Sequence, residues 1–189
     1  MQTKHWLLLL LCGVSAQAIA DDAEFYLSDQ SLQGRYATGA DIIGLSTANL
    51  GVEAFVNEED DASAAVDLSF FGQPAGMSQL TFSVGPKIYA ATLDIFDDNF
   101  AAGAVGGSAT YQLPLQYPVY LMGQFYYAPK ITTVGDADDI YDLILRIEAP
   151  FTDRVTGFIG YRRYVADIED VEDDHDLDNN FHIGVRFQF

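Results

Sequence analysis

The sequence predicts an all-β chain, a single antiparallel transmembrane β-barrel, with eight strands favoured and ten as the alternative. Three observations predict it. Beyond residue 20 there is no run of 18 apolar residues, so no segment reads as a membrane-spanning helix. Apolar residues instead alternate with polar or small ones in segments of about ten residues separated by turn residues, the pattern of a wall with one face to lipid and one to the interior. The sequence also closes on a strand whose alternate positions are all large and apolar, ending at Phe189.

Residues 1–20 read as a cleaved export signal. Lys4 and His5 precede the short apolar run Trp6–Leu11, small residues follow, and Ala18-Ile19-Ala20 fits a cleavage site. The run falls well short of the roughly 20 residues of a spanning helix. Cys12 is not preceded by the small residue a lipid-modified cysteine needs, because Leu11 stands there. Cleavage after residue 20 removes Cys12 and leaves a chain without thiols, and so without disulfides.

The segment 21–46 has uncertain register. Phe25 and Leu27 share one parity and Leu32, Gly34 and Tyr36 the other, so the pattern slips near Ser28-Asp29-Gln30. One long first strand would suit eight strands in all, and a short hairpin would make ten. Residues 47–189 form the body of the barrel. Leu50, Val52, Ala54 and Val56 alternate with Gly51, Glu53, Phe55 and Asn57. A noisier strand lies near 62–72. Leu80, Phe82, Val84, Pro86, Ile88 and Ala90 then share a face; Pro86 cannot donate to a ladder and predicts a bulge or a strand end. A noisier strand near 100–112 leads to Val119, Leu121, Gly123, Phe125 and Tyr127, and then to Tyr141, Leu143, Leu145, Ile147 and Ala149. A strand near 154–166 precedes the closing one, in which Phe181, Ile183, Val185, Phe187 and Phe189 face lipid. A terminal aromatic on such a strand resembles the signal read by the outer-membrane assembly machinery.

Connections give a second test, because periplasmic turns are short and outer loops longer. Counting back from Phe189, 166–178, 128–139, 91–99 and 57–63 fall outside. The segments 149–153, 113–118 and 72–78 fall inside. The outer set is acidic, and the inner set holds Pro or Gly. Aromatics near strand ends, among them Phe70, Phe71, Tyr117, Tyr120, Phe125, Tyr126, Tyr127, Phe151, Tyr161 and Tyr164, read as interfacial girdles.

The charge balance narrows the partners. The 189 residues carry 28 acidic and 9 basic side chains, a net charge of −19, which becomes −20 once Lys4 leaves with the signal. Such acidity argues against nucleic acid, which is held by Lys and Arg. The expected partners are outer-membrane lipid and lipopolysaccharide, the assembly machinery during biogenesis, and divalent cations. The expected location is the cell outer membrane.

No motif names a reaction, and no cofactor is implied. The run 167–178 holds eight carboxylates, and Asp174-x-Asp176-x-Asp178 echoes the start of a calcium loop without its Gly and closing Glu. It stands as a weak divalent-cation site beside the plainer reading of a solvated loop. Strand parity places Glu53, Asp67, Lys87, Arg146, Glu148, Arg162, His182 and Arg186 in the interior, where opposite charges must pair because isolated buried charges cost several kcal/mol. A selectivity-determining lining is the sharper alternative. His175 and His182 are the histidines left after cleavage. A hydrolase built on His182 lacks any supporting serine motif.

Several segments together resemble the YfaZ family of proteobacterial outer-membrane proteins. They are Gly51-Val52-Glu53-Ala54-Phe55-Val56-Asn57-Glu58-Glu59-Asp60, Gly85-Pro86-Lys87-Ile88-Tyr89-Ala90-Ala91, and Tyr126-Tyr127-Ala128-Pro129 with Gly135-Asp136-Ala137-Asp138. Gly160-Tyr161-Arg162-Arg163-Tyr164 and the closing strand complete them. The resemblance implies the location and the barrel, and it carries no functional residues with it. The leading expectation for function is a non-enzymatic structural or surface-interaction barrel. A narrow channel for ions or small solutes is second, and an outer-membrane hydrolase third.

Overall fold

The computed structural model describes residues 21–45, 47–93, 98–135, 137–168 and 175–189. The expected signal, 1–20, and Asp174 lie outside the described residues. The strands are β1 (Asp22–Leu27), β2 (Ser31–Gly39), β3 (Ala48–Asn57), β4 (Ala62–Gly72), β5 (Leu80–Leu93), β6 (Asp98–Gln112), β7 (Tyr120–Ala128), β8 (Thr133–Gly135), β9 (Ala137–Thr152), β10 (Val155–Ile168) and β11 (His175–Gln188). Every pairing is antiparallel and between neighbours in the wall, and the first and last strands pair with each other, Phe25 opposite Val185. The sheet therefore closes into a barrel.

The wall has ten strands, not the favoured eight. β8 adds no position, because it continues the line of β7 along β6, opposite Phe100–Ala102. The extra pair comes from residues 22–39. β1 and β2 turn at Ser28–Gln30, where Ser28 Oγ accepts from the Ser31 amide at 2.8 Å and the Gln30 amide at 3.1 Å. Leu27 pairs with Leu32, so four residues separate the closing pair and the parity reverses, which is the slip seen in the sequence. β1 has six residues, fewer than the roughly 9–11 of a spanning strand, because the wall is low at this point. The turns 28–30 and 58–61 lie side by side, with the Glu58 amide donating to the Gln30 carbonyl. β9, β10 and β11 rise well above them.

Two further expectations are corrected. Pro86 neither ends nor bulges β5; the β5–β6 register runs unbroken through Pro86 and Val105. Instead the β4–β5 ladder has a gap opposite it, between Asp67–Lys87 and Phe70–Val84, where Leu68 and Ser69 pair with β3 but not with β5. The missing donor is absorbed there. The alternation of long and short connections is also absent. The termini and the reversals from β2 to β3, β4 to β5, β6 to β7 and β9 to β10 lie at one end, and the reversals from β1 to β2, β3 to β4, β5 to β6, β7 to β9 and β10 to β11 lie at the other. Most residues assigned to long loops lie in strands that project beyond their neighbours, and 129–136 holds a 3-10 turn (Lys130–Thr132) and β8. The difference between the ends is one of charge, since Glu58, Glu59, Asp60, Asp61, Asp138, Asp139 and Asp167 all sit at the second, or loop, end.

The outer face is an apolar belt. Phe25, Leu32, Val52, Val66, Val84, Ile88, Val105, Leu121, Phe125, Leu145, Ile147, Ile159, Phe181 and Ile183 are all exposed, Phe181 by 80%. A contiguous patch of this extent has no counterpart on a soluble monomer, whereas a lipid-facing barrel wall requires it.

Candidate functional site: a layered lumen

Strand β10 serves as a ruler along the axis. Its inward residues run from Thr156 at the terminal end through Phe158, Gly160 and Arg162 to Tyr164 and Ala166 at the loop end. They cross three layers.

The layer nearest the termini is an open, polar vestibule of about 390 Å³. A ten-stranded barrel is wide enough to leave it, as an eight-stranded one barely would be. Asn49, Ser83, Ser108, Thr110, Gln124 and Tyr120 line its sides. Two ion-pair sets cross it. Arg186 forks onto Glu148 at 2.7 and 3.0 Å and reaches Glu24 at 3.0 Å, while Arg146 holds the other oxygen of Glu24. Arg35 on β2 meets Asp67 on β4 at 3.0 and 3.1 Å, passing over β3 at Gly51. A Cβ at Gly51 would collide with both Arg35 Nη2 and the Asp67 carboxylate, so the glycine is what lets the two strands pair across a third.

The second layer is centred on Arg162, fully buried. Its Nε and Nη2 donate to the two oxygens of Asp142 at 2.8 and 2.9 Å, Nη2 also to Glu53 at 3.2 Å, and Nη1 to the Tyr26 hydroxyl at 2.8 Å and to Gln33. All five guanidinium hydrogens are thereby engaged. Lys87 donates to Glu53 at 2.9 Å and Asp142 at 3.4 Å, and Tyr89 to Asp142 at 3.0 Å. The ammonium lies 4.7 Å from the Tyr89 ring centroid. Two cations face two carboxylates here, and the layer is neutral.

The third layer is apolar. Phe55, Tyr89, Leu93, Phe100, Ile140, Tyr164 and Leu177 are buried with Ala65, Ala91, Ala102, Ala104, Ala128, Ala137 and Ala166. Alanines on the wall make room for the rings; Tyr164 lies edge-on to Phe55 at 5.9 Å. Leu177 closes this layer through a bulge. Tyr164 pairs with Asp178 but Val165 with Asp176, so Leu177 is the extra residue and both it and Asp178 turn inward. Asp178 accepts from Tyr26 at 2.9 Å and Ser31 at 3.2 Å, which ties β11 down over the low turns.

All eight interior residues singled out from sequence lie inside the wall. Seven of them enter the ion-pair sets. His182 does not: its ring stacks on Tyr26 at 4.3 Å and stands edge-on to Phe158, with neither ring nitrogen hydrogen-bonded among the described residues. No serine or acid is joined to it there. Alternation also missed members of the network. Asp142 shares the parity of Arg146 and Glu148, which is a readable signal. Glu24, Tyr26, Gln33 and Arg35 were hidden by the slip at 28–30.

The Asp174-Asp176-Asp178 reading does not survive in its described part. The bulge at Leu177 breaks the period of two, so Asp178 is buried while Asp176 faces outward to Arg163 at 3.5 Å and Asn179 at 2.9 Å. They share no site. Several girdle assignments also change, because Tyr126 and Tyr164 point inward and Phe71 and Tyr120 line the vestibule. In the closing strand Phe181, Ile183, Phe187 and Phe189 are exposed on the outer face, and Val185 is half covered there.

No match is found among curated proteins. Among solved structures, the fold is similar to a KdgM porin in complex with disordered oligogalacturonate, at 10% identity over 90% of this chain and 99% of that one, with a TM-score of 0.45. A second KdgM porin structure gives 10% identity, the same coverage and a TM-score of 0.43. The family described as YfaZ precursor matches residues 7–189, nearly the full sequence and all ten wall strands, and the chain belongs to that family.

Proposed function

We propose that this protein is a small outer-membrane barrel with a structural or surface-interaction role, whose lumen is shut in its resting state. The observation that carries the reading is the Arg162 layer. A guanidinium with all five hydrogens engaged, backed by a layer of buried apolar side chains that includes Leu177, supports a closed interior. The termini would face the periplasm, as is general for such barrels. The acidic end would then face outward, towards lipopolysaccharide and its counter-cations, and the closing strand to Phe189 would present the assembly signal.

The vestibule favours a second reading, a narrow conduit that opens only when the Arg162 layer rearranges. Planar-bilayer recording on the refolded barrel tests both. The resting reading expects no steady single-channel steps; steps at low voltage would overturn it in favour of the conduit. Membrane fractionation with heat-modifiable gel migration tests the location, and recovery in the soluble periplasm would refute it.

A further inference from the structure

At the loop end, the β3–β4 turn meets the start of β11. We propose that Glu59, Asp61 and His175 form a site there for a first-row divalent metal ion of the Zn²⁺ type. One carboxylate oxygen from each acid and one ring nitrogen of His175 all lie within 4.8 Å of one another. Ligands on one tetrahedral Zn²⁺ sit about 2.0–2.2 Å from the metal, and so roughly 3.3–3.5 Å apart. His175 Nε2 and Asp61 Oδ2, at 2.8 Å, are already closer than that. Glu59 is exposed and has free rotamers with which to close the remaining distance.

Three features separate this trio from a chance group of surface acids. First, it contains an imidazole. Oxygen-only sites suit Ca²⁺ and Mg²⁺, whereas an imidazole with two carboxylates selects Zn²⁺ and its neighbours. Second, Asp61 is fully buried, at the bottom of the group, and Asn57 Nδ2 donates to its Oδ2 at 3.0 Å, the kind of outer contact that aims a metal-bound carboxylate. Third, the ligands come from segments 114 residues apart that are already joined. Asn57 Nδ2 also donates to the Leu177 carbonyl at 3.1 Å, and Asn57 Oδ1 accepts from the Glu59 and Asp61 amides at 3.0 and 2.9 Å. One residue thus shapes the turn that carries two ligands and binds that turn to the strand that carries the third. A metal ion here would rivet the β3–β4 turn to β11 beside Leu177. A simple hydrogen-bonded His175–Asp61 pair has no need of Glu59, and Glu59 is therefore the discriminating residue.

The test is calorimetric titration of the full barrel, refolded in detergent, with ZnCl₂ and separately with CaCl₂. The expected result is one Zn²⁺ per barrel, with affinity lowered about tenfold or more by His175→Ala and by Glu59→Gln, and not displaced by millimolar Ca²⁺. Glu59 is exposed, so the Glu59→Gln barrel tests the site even if His175→Ala disturbs folding. Absence of Zn²⁺ heat, Zn²⁺ binding unchanged in Glu59→Gln, or equal binding of Ca²⁺ at the same stoichiometry would each overturn the proposal.

Discussion

Replacing Arg162 by alanine is expected to destabilise the barrel by about 3–5 kcal/mol, the usual cost of breaking a buried ion pair from one side. The size follows from what the substitution leaves behind. Asp142, fully buried, loses both of its guanidinium contacts and keeps only Tyr89 at 3.0 Å and Lys87 at 3.4 Å. Glu53 keeps Lys87 at 2.9 Å but loses its second cation. Tyr26 and Gln33 each lose a donor. The layer passes from neutral to one net negative charge in a place with little water. Arg162→Lys restores the charge but not the planar fork, and about 1–3 kcal/mol is expected. Adding Asp142→Asn to Arg162→Ala removes the stranded charge, so the double variant is expected to be more stable than the two single losses summed. The assay is urea unfolding in detergent, followed by tryptophan-independent circular dichroism and by gel migration. An Arg162→Ala loss under about 1 kcal/mol, or strict additivity in the double variant, would refute the account of a dry, mutually dependent layer.

Gly51→Ala puts a methyl group where Arg35 reaches Asp67. Arg35 can swing away but leaves a buried carboxylate behind, so a loss of about 1–3 kcal/mol is expected by the same urea assay; Ala54→Gly on the outer face of the same strand is the control. Deleting Phe189 is expected to lower the yield in the outer membrane several-fold in cells while refolding in detergent is nearly unchanged, because the residue is an exposed terminal side chain. Equal yields would remove Phe189 from the assembly signal.

The wall was readable because its two solvents differ so sharply. One face of each strand meets lipid and the other an interior that is polar over two of its three layers, and β9 from Tyr141 to Ala149 records that difference at every position but Ile144. The exceptions each have a local cause. β1 is shorter than a spanning strand because the wall dips beside it, and a strand count based on spanning length passes over such a hairpin. Asp176 and Asp178 share a parity in sequence, yet a single extra residue, Leu177, sends them to opposite faces. Glu59 and His175 are 116 positions apart, and no spacing rule connects them.

Alternation of apolar and polar residues determined by itself that this chain makes a membrane-type barrel, and which side of most strands faces in. That information is local, because a strand's two faces are set by a period of two. Only the tertiary structure decided the number of strands, which cations meet which carboxylates, and how the inner layers are filled. Those depend on closure of the sheet. Closure brings β3, β9 and β10 to one level of a common interior, and there Arg162, Asp142 and Glu53 have no partners but one another and their immediate neighbours.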